Sequence, residues 1–375
     1  MNPFKYGKVV SDPYFVNRKN EINEISLNLR DGNNLILYAP RRYGKTSLVL
    51  KILENLKQKS ECLIIYFDFF QVLSEESFIE LYAKKILQLK KSSIENSLSI
   101  FKNFISGIIP AVTVDDFGKP VFTFSFQPNS DRDKTLLDVL DLPNKIFNDR
   151  SVVVVFDEFQ EITKLKGEKF ENQLRSVIQF HKNVSYVFMG SQTHLLFNMF
   201  KNKKRAFYNI GKLMRIDKIP EKEMMIYLKK RYDGTGIQIS EDIIAAIIKI
   251  SENIPYYTQF LAYEIWQISY IEKIEINDEV LYMAVDKIIN HQSDYYFELF
   301  EKLSKYQKKL LLVLTKSSTN IYSKEFSVKY NLSSGSSTQR AIGRLVESGI
   351  IEKIKDSFYF SDPFFKRFLL LRFKA

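Results

Sequence analysis

The chain has 375 residues, 45% of them hydrophobic and 26% charged, with a formal net charge of +11; this length points to two or three domains rather than one core. Its apolar runs, such as Val152 to Phe156 and Phe368 to Leu371, fall far short of the roughly 18 to 20 residues that cross a bilayer, and Met1 to Val10 hold no apolar signal core. Cys62 is the only cysteine, which excludes an internal disulfide framework and fits a reducing cytoplasm.

The first half alternates β-rich runs with helical ones. "NLILYA" precedes a helix from Lys45 to about Gln58; "CLIIYFDFF" precedes one near Glu75 to Leu89. "SVVVVFDEF" and "VSYVFMGSQ" follow, each with a helical stretch after it. Continuous apolar strands separated by helices predict a parallel sheet covered on both faces, an α/β core. Between the second and third strands, "AVTVDDFGKPVFTFSFQPNSD" alternates apolar residues on both sides of Asp116 to Lys119. This predicts a hairpin inserted near residues 110–127, its Asp-Phe-Gly a turn, since no kinase catalytic loop accompanies it.

After about Arg215 the pattern becomes helical, over Glu221 to Tyr232, Glu241 to Ser251, Pro255 to Ile268 and Asp278 to Leu303. The tail gives a helix around Tyr306 to Lys316, then "SKEFSVKYN", "SSTQRAIGRLVESG" and two strands, "IIEKIK" and "SFYFSD". Three helices closed by two strands are the order of a winged helix-turn-helix. The expected division is an α/β core over 1–215, a helical lid over 216–300 and a winged helix over 301–375. That last segment holds fifteen Lys/Arg against six Asp/Glu, a net of +9, which suits either a solvated surface or a polyanion.

The chemistry concentrates in two segments. "YAPRRYGKTSLVLKIL" sets Gly-Lys-Thr where a buried strand gives way to an amphipathic helix, and Ala39 stands where the usual G-x-x-x-x-G-K-[ST] pattern has its first glycine. The unpaired N–H groups and dipole of a first helical turn favour a phosphate there. Ala39, Pro40, Arg41, Arg42, Tyr43, Gly44, Lys45, Thr46 and Ser47 are therefore the candidate nucleotide cradle. Lys45 is expected on the β- and γ-phosphates, Thr46 on Mg²⁺, and Gly44 where a β-carbon is excluded. Ala39 is tolerable if its φ stays negative.

"SVVVVFDEFQEI" delivers Asp157 and Glu158 at the carboxyl end of an apolar strand, the end that lines the ligand crevice of a parallel sheet. Asp157 is the candidate Mg²⁺ ligand and Glu158 the candidate base for the attacking water; helix capping is the bland alternative. Ser191 and Gln192, ending the next strand, are placed to sense the γ-phosphate. Arg205 in "KNKKRAFYNIG" is a candidate to stabilise charge on the transferred phosphoryl group, in cis or from a neighbouring subunit of a homo-oligomer. With His181, His194 and His291 the only histidines, no spacing resembles a zinc site, so any metal is expected on oxygen ligands.

These segments, with "PYFVNRKNEI", "FMGSQTHLLFNMF", "ENIPYYTQFLA" and "FYFSDPFFKRFL", resemble the prokaryotic archaeal-type ATPases of the AAA+/STAND class of P-loop NTPases over nearly the whole chain. The resemblance implies a nucleotide-driven switch with an ATPase core, a lid and a winged helix. It also implies Asn17 and Arg18 near the adenine or the domain joint, and Pro255 where the lid meets the nucleotide. The preference for ATP over GTP rests on it alone. Two departures stand out. The lid reads Asn253-Ile254-Pro255 where such proteins often have Gly-x-Pro, and "FYNIG" lacks an arginine directly after Phe-Tyr.

Phe and Tyr total 52 residues, but their spacing reads as core rather than base stacking. In the third winged-helix segment Ser336, Ser337, Thr338, Gln339, Arg340 and Arg344 are residue types that reach phosphates and base edges, with Ser337, Gln339, Arg340 and Arg344 the candidate duplex-DNA contacts. Three functions remain open at this point. They are an Mg²⁺-dependent ATPase switch, an ATP-gated DNA-binding module with little turnover, and a protein-docking regulator that uses the winged helix as its surface. Glu158 favours the first.

Overall fold

The computed structural model describes residues 1–89, 99, 103–114, 120–354 and 356–373. They fall into two compact units: Arg18–Ala39 with Lys45–Ile216, and Met1–Asn17 with Pro40–Gly44 and Asp217–Ala375.

The first unit is a five-stranded sheet with helices. In chain order it contains α1 (Lys19–Arg30), β1 (Leu35–Tyr38), α2 (Lys45–Gln58), β2 (Leu63–Asp68) and α3 (Glu75–Leu89). These are followed by β3 (Ile108–Val114), β4 (Pro120–Phe126), α4 (Arg132–Ile146), β5 (Val152–Asp157), α5 (Glu168–Ile178), β6 (Val184–Gly190), α6 (Thr193–Lys201) and β7 (Lys212–Arg215). The sheet order is β2-β5-β6-β1-β7, every pairing parallel. Every residue of β5 and β6 is buried, as the unbroken apolar spelling requires of central strands.

β3 and β4 pair antiparallel as a separate two-stranded sheet, so the hairpin is present; its Asp116–Lys119 turn lies outside the described residues. β7 was missed because a four-residue edge strand reading Lys-Leu-Met-Arg has too short a pattern to register. The aromatics fill the core: Phe156 lies 5.9 Å from Phe188, and Phe159 lies 4.7 Å from Phe188, ring centre to ring centre.

The second unit contains α7 (Glu221–Asp233), α8 (Glu241–Ile250), α9 (Pro255–Glu272), α10 (Asp278–His291), α11 (Ser293–Glu301), α12 (Lys305–Lys316), α13 (Lys324–Lys329), α14 (Gly335–Glu347), β8 (Ile351–Ile354), β9 (Ser357–Phe360) and α15 (Pro363–Arg372). The single helix expected over Asp278 to Leu303 is two. Gln292 leaves helical geometry at φ −105°, ψ 4°, and Ser293 Oγ donates to the Asn290 carbonyl at 2.9 Å instead of leaving that turn to the ladder. α12, α13 and α14 closed by the antiparallel β8–β9 pair are a winged helix, followed by α15. Among the described residues no helix is long and apolar enough to cross a membrane.

Candidate nucleotide site

β1, β6 and β5 are adjacent and parallel, so their carboxyl ends open on one edge of the sheet. β1 ends at Tyr38, β5 at Asp157 and β6 at Gly190. The sequence that follows each strand is therefore gathered there: the Gly-Lys-Thr loop, the Asp-Glu pair and Ser191.

Ala39 is fully buried and stays out of the left-handed region, so its methyl group replaces the usual glycine without strain. Arg42 at φ +72° and Gly44 at φ +83° both enter that region. An alternation of left- and right-handed residues turns successive N–H groups to one side, a concavity suited to an anion. A β-carbon on Gly44 would meet open space, so glycine is needed for its φ rather than for clearance.

Lys45, the first residue of α2, is drawn to the carboxylates. Its Nζ lies 3.2 Å from Asp157 Oδ1 and 3.2 Å from Glu158 Oε1, with side chains 6%, 6% and 14% exposed. Thr46 Oγ1 is 3.4 Å from Asp157 Oδ2, and the Tyr66 hydroxyl donates to the same oxygen. Glu158 takes a left-handed φ of +48°, an unusual conformation for glutamate that turns the chain just past β5. Its Oε2 accepts from Ser191 Oγ at 2.9 Å, Ser191 N–H at 3.2 Å and Gln160 Nε2 at 2.6 Å. Burial opposes ionisation of Glu158, but Lys45 and these hydrogen bonds outweigh it and hold the carboxyl below the usual glutamate range. Burial and the neighbouring Asp157 push the Tyr66 hydroxyl up, so it stays a donor.

Two protein oxygens at Thr46 and Asp157 match the donor set of an Mg²⁺ that completes its shell with phosphate and water. Ser47 is buried one residue further along α2.

Other candidates are placed differently. Arg205 is not turned to the cluster: its guanidinium forms a bidentate pair with the buried Glu171, Nε to Oε2 at 3.0 Å, and approaches Glu168 at 3.5 Å. Arg18 is buried and bonded to Glu21 at 2.9 Å at the start of α1, whereas Asn17 is exposed. Pro255 opens α9, whose Tyr256 N–H donates to the Arg42 carbonyl at 3.3 Å. Asn253 takes φ +52°, a left-handed conformation that asparagine tolerates better than most residues. In α14, Gln339, Arg340 and Arg344 are exposed and Ser337 is half-buried. Thr338 is a correction: it is fully buried against the Tyr306 hydroxyl at 2.6 Å and faces the core of the winged helix.

Sequence reasoning missed Tyr66, Gln160 and Gly190. Tyr66 reaches Asp157 across the β2–β5 pair, where Asp68 is in register with Asp157. A β-carbon on Gly190 would lie 2.0 Å from Gln160 Oε1, so the glycine makes room for the side chain that holds Glu158.

Comparison with known proteins bears on the family and the fold. The model described as a probable winged helix domain matches residues 294–371. The ATP-binding protein MJ1659 of Methanocaldococcus jannaschii is 27% identical over 184 residues, 43% of this chain and 47% of its own length. The ATP-binding protein MJ1006 of the same organism is 28% identical over 93 residues, 24% of this chain and 26% of its own. The chain thus spans half or less of the length of these curated relatives. Among solved structures, the Walker-type ATPase PABY2304 of Pyrococcus abyssi superposes with a TM-score of 0.66 at 15% identity, covering 99% of this chain and 100% of that one. The Aeropyrum pernix ORC2 protein gives 0.55 at 13% identity, covering 98% and 97%. The A. pernix ORC1 protein in complex with DNA gives 0.52 at 13% identity, with the same coverage. At these identities the likeness is one of fold. The family described as "ATPase domain predominantly from Archaea" matches residues 15–226, more than half of the chain, and the chain belongs to that family.

Proposed function

We propose that the chain is an Mg²⁺-dependent, ATP-binding and ATP-hydrolysing switch whose basic winged helix acts on duplex DNA. The observation that carries the nucleotide half is Lys45, 3.2 Å from both Asp157 and Glu158 where a parallel sheet opens. A buried lysine shared by two carboxylates is a cation held ready for a stronger anion. In this reading Lys45 leaves the carboxylates for the β- and γ-phosphates, and loop residues 41–44 offer their N–H groups to the same phosphates. Without its cation, Glu158 becomes more basic and takes the proton of the attacking water. Ser191 keeps Glu158 aimed and lies beside the γ-phosphate. Mg²⁺ on Thr46 and Asp157 would neutralise phosphate charge.

The family resemblance assigns residues 216–300 to a lid that includes Pro255, and Asn17 and Arg18 to the adenine or the domain joint. ATP is supported by the names of the two curated relatives and by the ADPNP and ADP of the ORC2 structure. Duplex DNA is supported by the exposed Gln339, Arg340 and Arg344, the +9 charge of residues 301–375, and the DNA held by the ORC1 protein.

The commitment of Arg205 to Glu171 favours a second reading, an ATP-gated regulator with little turnover. To act on a phosphoryl group Arg205 has to break that pair. Phosphate release and ATP retention measured for wild type and Glu158→Gln separate the two. Hydrolysis in wild type that is lost in the variant, with ATP still bound, supports the ATPase; equal, negligible release from both supports the regulator.

A further inference from the structure

Arg42 sits in the phosphate loop at φ +72°, a conformation that favours glycine. Glycine there would remove the strain, so the return for keeping arginine has to come from its side chain. That side chain is held on several sides, all within the unit that joins Pro40–Gly44 to residues 217–375. Nη1 lies 3.6 Å from Asp362 Oδ2. The guanidinium carbon lies 5.0 Å from the ring centre of Tyr256 and 4.8 Å from that of Tyr257, within cation–π range. The backbone is held as well, through the Tyr256 N–H on the Arg42 carbonyl.

Asp362 is itself fixed. It caps α15, accepting from the Phe364 N–H at 2.8 Å and the Phe365 N–H at 3.3 Å, and it receives the Tyr296 hydroxyl at 3.0 Å. Burial pushes its carboxyl up, against the pull of Arg42 and these hydrogen bonds. A half-buried carboxylate that caps a helix and receives a tyrosine hydroxyl is a fixed anchor for the more exposed Arg42 guanidinium.

We propose that Asp362, just past the wing, is a positioning residue for the phosphate loop: through Arg42 it holds Pro40–Gly44 in the turn that presents N–H groups to phosphate. The proposal rests on the nucleotide reading above and makes the winged-helix segment part of nucleotide affinity. Whatever draws Asp362 from Arg42 loosens the loop, and by linkage ATP on the loop strengthens the Arg42–Asp362 contact by the same factor.

Asp362→Asn tests this, because asparagine caps a helix as well as aspartate does but carries no charge. In a titration with Mg²⁺ and ATP, the variant should bind about 2- to 5-fold more weakly, the worth of a partly exposed ion pair, with its thermal midpoint and its kcat at saturating ATP unchanged. Tyr296→Phe, which removes one hydroxyl from Asp362, should give a smaller loss in the same direction. In an Arg42→Gly background, Asp362→Asn should have no further effect on affinity. Unchanged or tighter ATP binding by both Asp362→Asn and Tyr296→Phe overturns the proposal, and so does an equal loss with and without Arg42. Lys45→Ala run alongside separates the two levels. If it too binds ATP like wild type, the nucleotide reading has failed; if it alone loses ATP, only the role of Asp362 has.

Discussion

Removing the charge of Lys45 should destabilise the first unit even without nucleotide. Lys45→Met keeps the apolar stem and so isolates the charge. Taking one partner from a buried ion pair costs about 3–5 kcal/mol, because the other charge is left uncompensated. Here the residue is 6% exposed and leaves two carboxylates, 6% and 14% exposed, facing each other. The loss is softened because Asp157 keeps Tyr66 and the Glu158 N–H, and Glu158 keeps Ser191 and Gln160. Glu158 can also take a proton, since burial then acts on it without Lys45 to oppose it. We expect about 2–4 kcal/mol, or roughly 5–15 °C in the midpoint of a unit this size.

The pH dependence follows from the same balance. In wild type the depressed Glu158 contributes stability above its ordinary pKa and loses it as pH falls through the lowered folded value. In Lys45→Met the ionised Glu158 is a burden that protonation relieves. The gap in midpoint should therefore narrow as pH falls toward and below the ordinary glutamate pKa, and Glu158→Gln added to Lys45→Met should recover part of the loss. Thermal unfolding followed by circular dichroism measures both. A Lys45→Met protein that melts with wild type at pH 7, or that gains nothing from Glu158→Gln, would refute the reasoning.

Arg340→Ala with Arg344→Ala should weaken duplex binding and make its salt dependence shallower by roughly one to two units of slope, about 0.9 for each phosphate no longer neutralised; fluorescence anisotropy across a salt series reads it, with DNA-free ATP hydrolysis unchanged. Gly190→Ala should destabilise the first unit by about 1–3 kcal/mol, because a methyl 2.0 Å from Gln160 Oε1 forces that side chain off Glu158. Its hydrolysis should fall more than its ATP affinity, as parallel turnover and binding assays would show.

The parts of the site that were legible in the sequence are those whose chemistry is local. Gly44, Lys45 and Thr46 follow a strand and begin a helix, and Asp157 and Glu158 end an apolar run, so position along one strand is enough to bring them to the crevice. What was hidden depends on lateral neighbours. Tyr66 meets Asp157 because β2 pairs with β5 in that register, and no pattern within either segment announces it. Arg205 read as a free cation because Glu171, its partner, lies on a helix preceding β6. Thr338 carried the same polar letter as its exposed neighbours, yet the turn of α14 puts it in the core. The winged helix was legible as an order of elements; the tie from Asp362 back to Arg42 was not, since it joins the ends of the chain.

The measurement that reaches the central claim most directly is a calorimetric titration of wild type and Lys45→Ala with ATP in the presence of Mg²⁺. The account predicts saturable one-site binding to wild type and its loss in the variant, because the side-chain cation on the terminal phosphates is gone. Equal affinity in the two proteins would contradict it and place the nucleotide, if bound, away from the Gly-Lys-Thr loop.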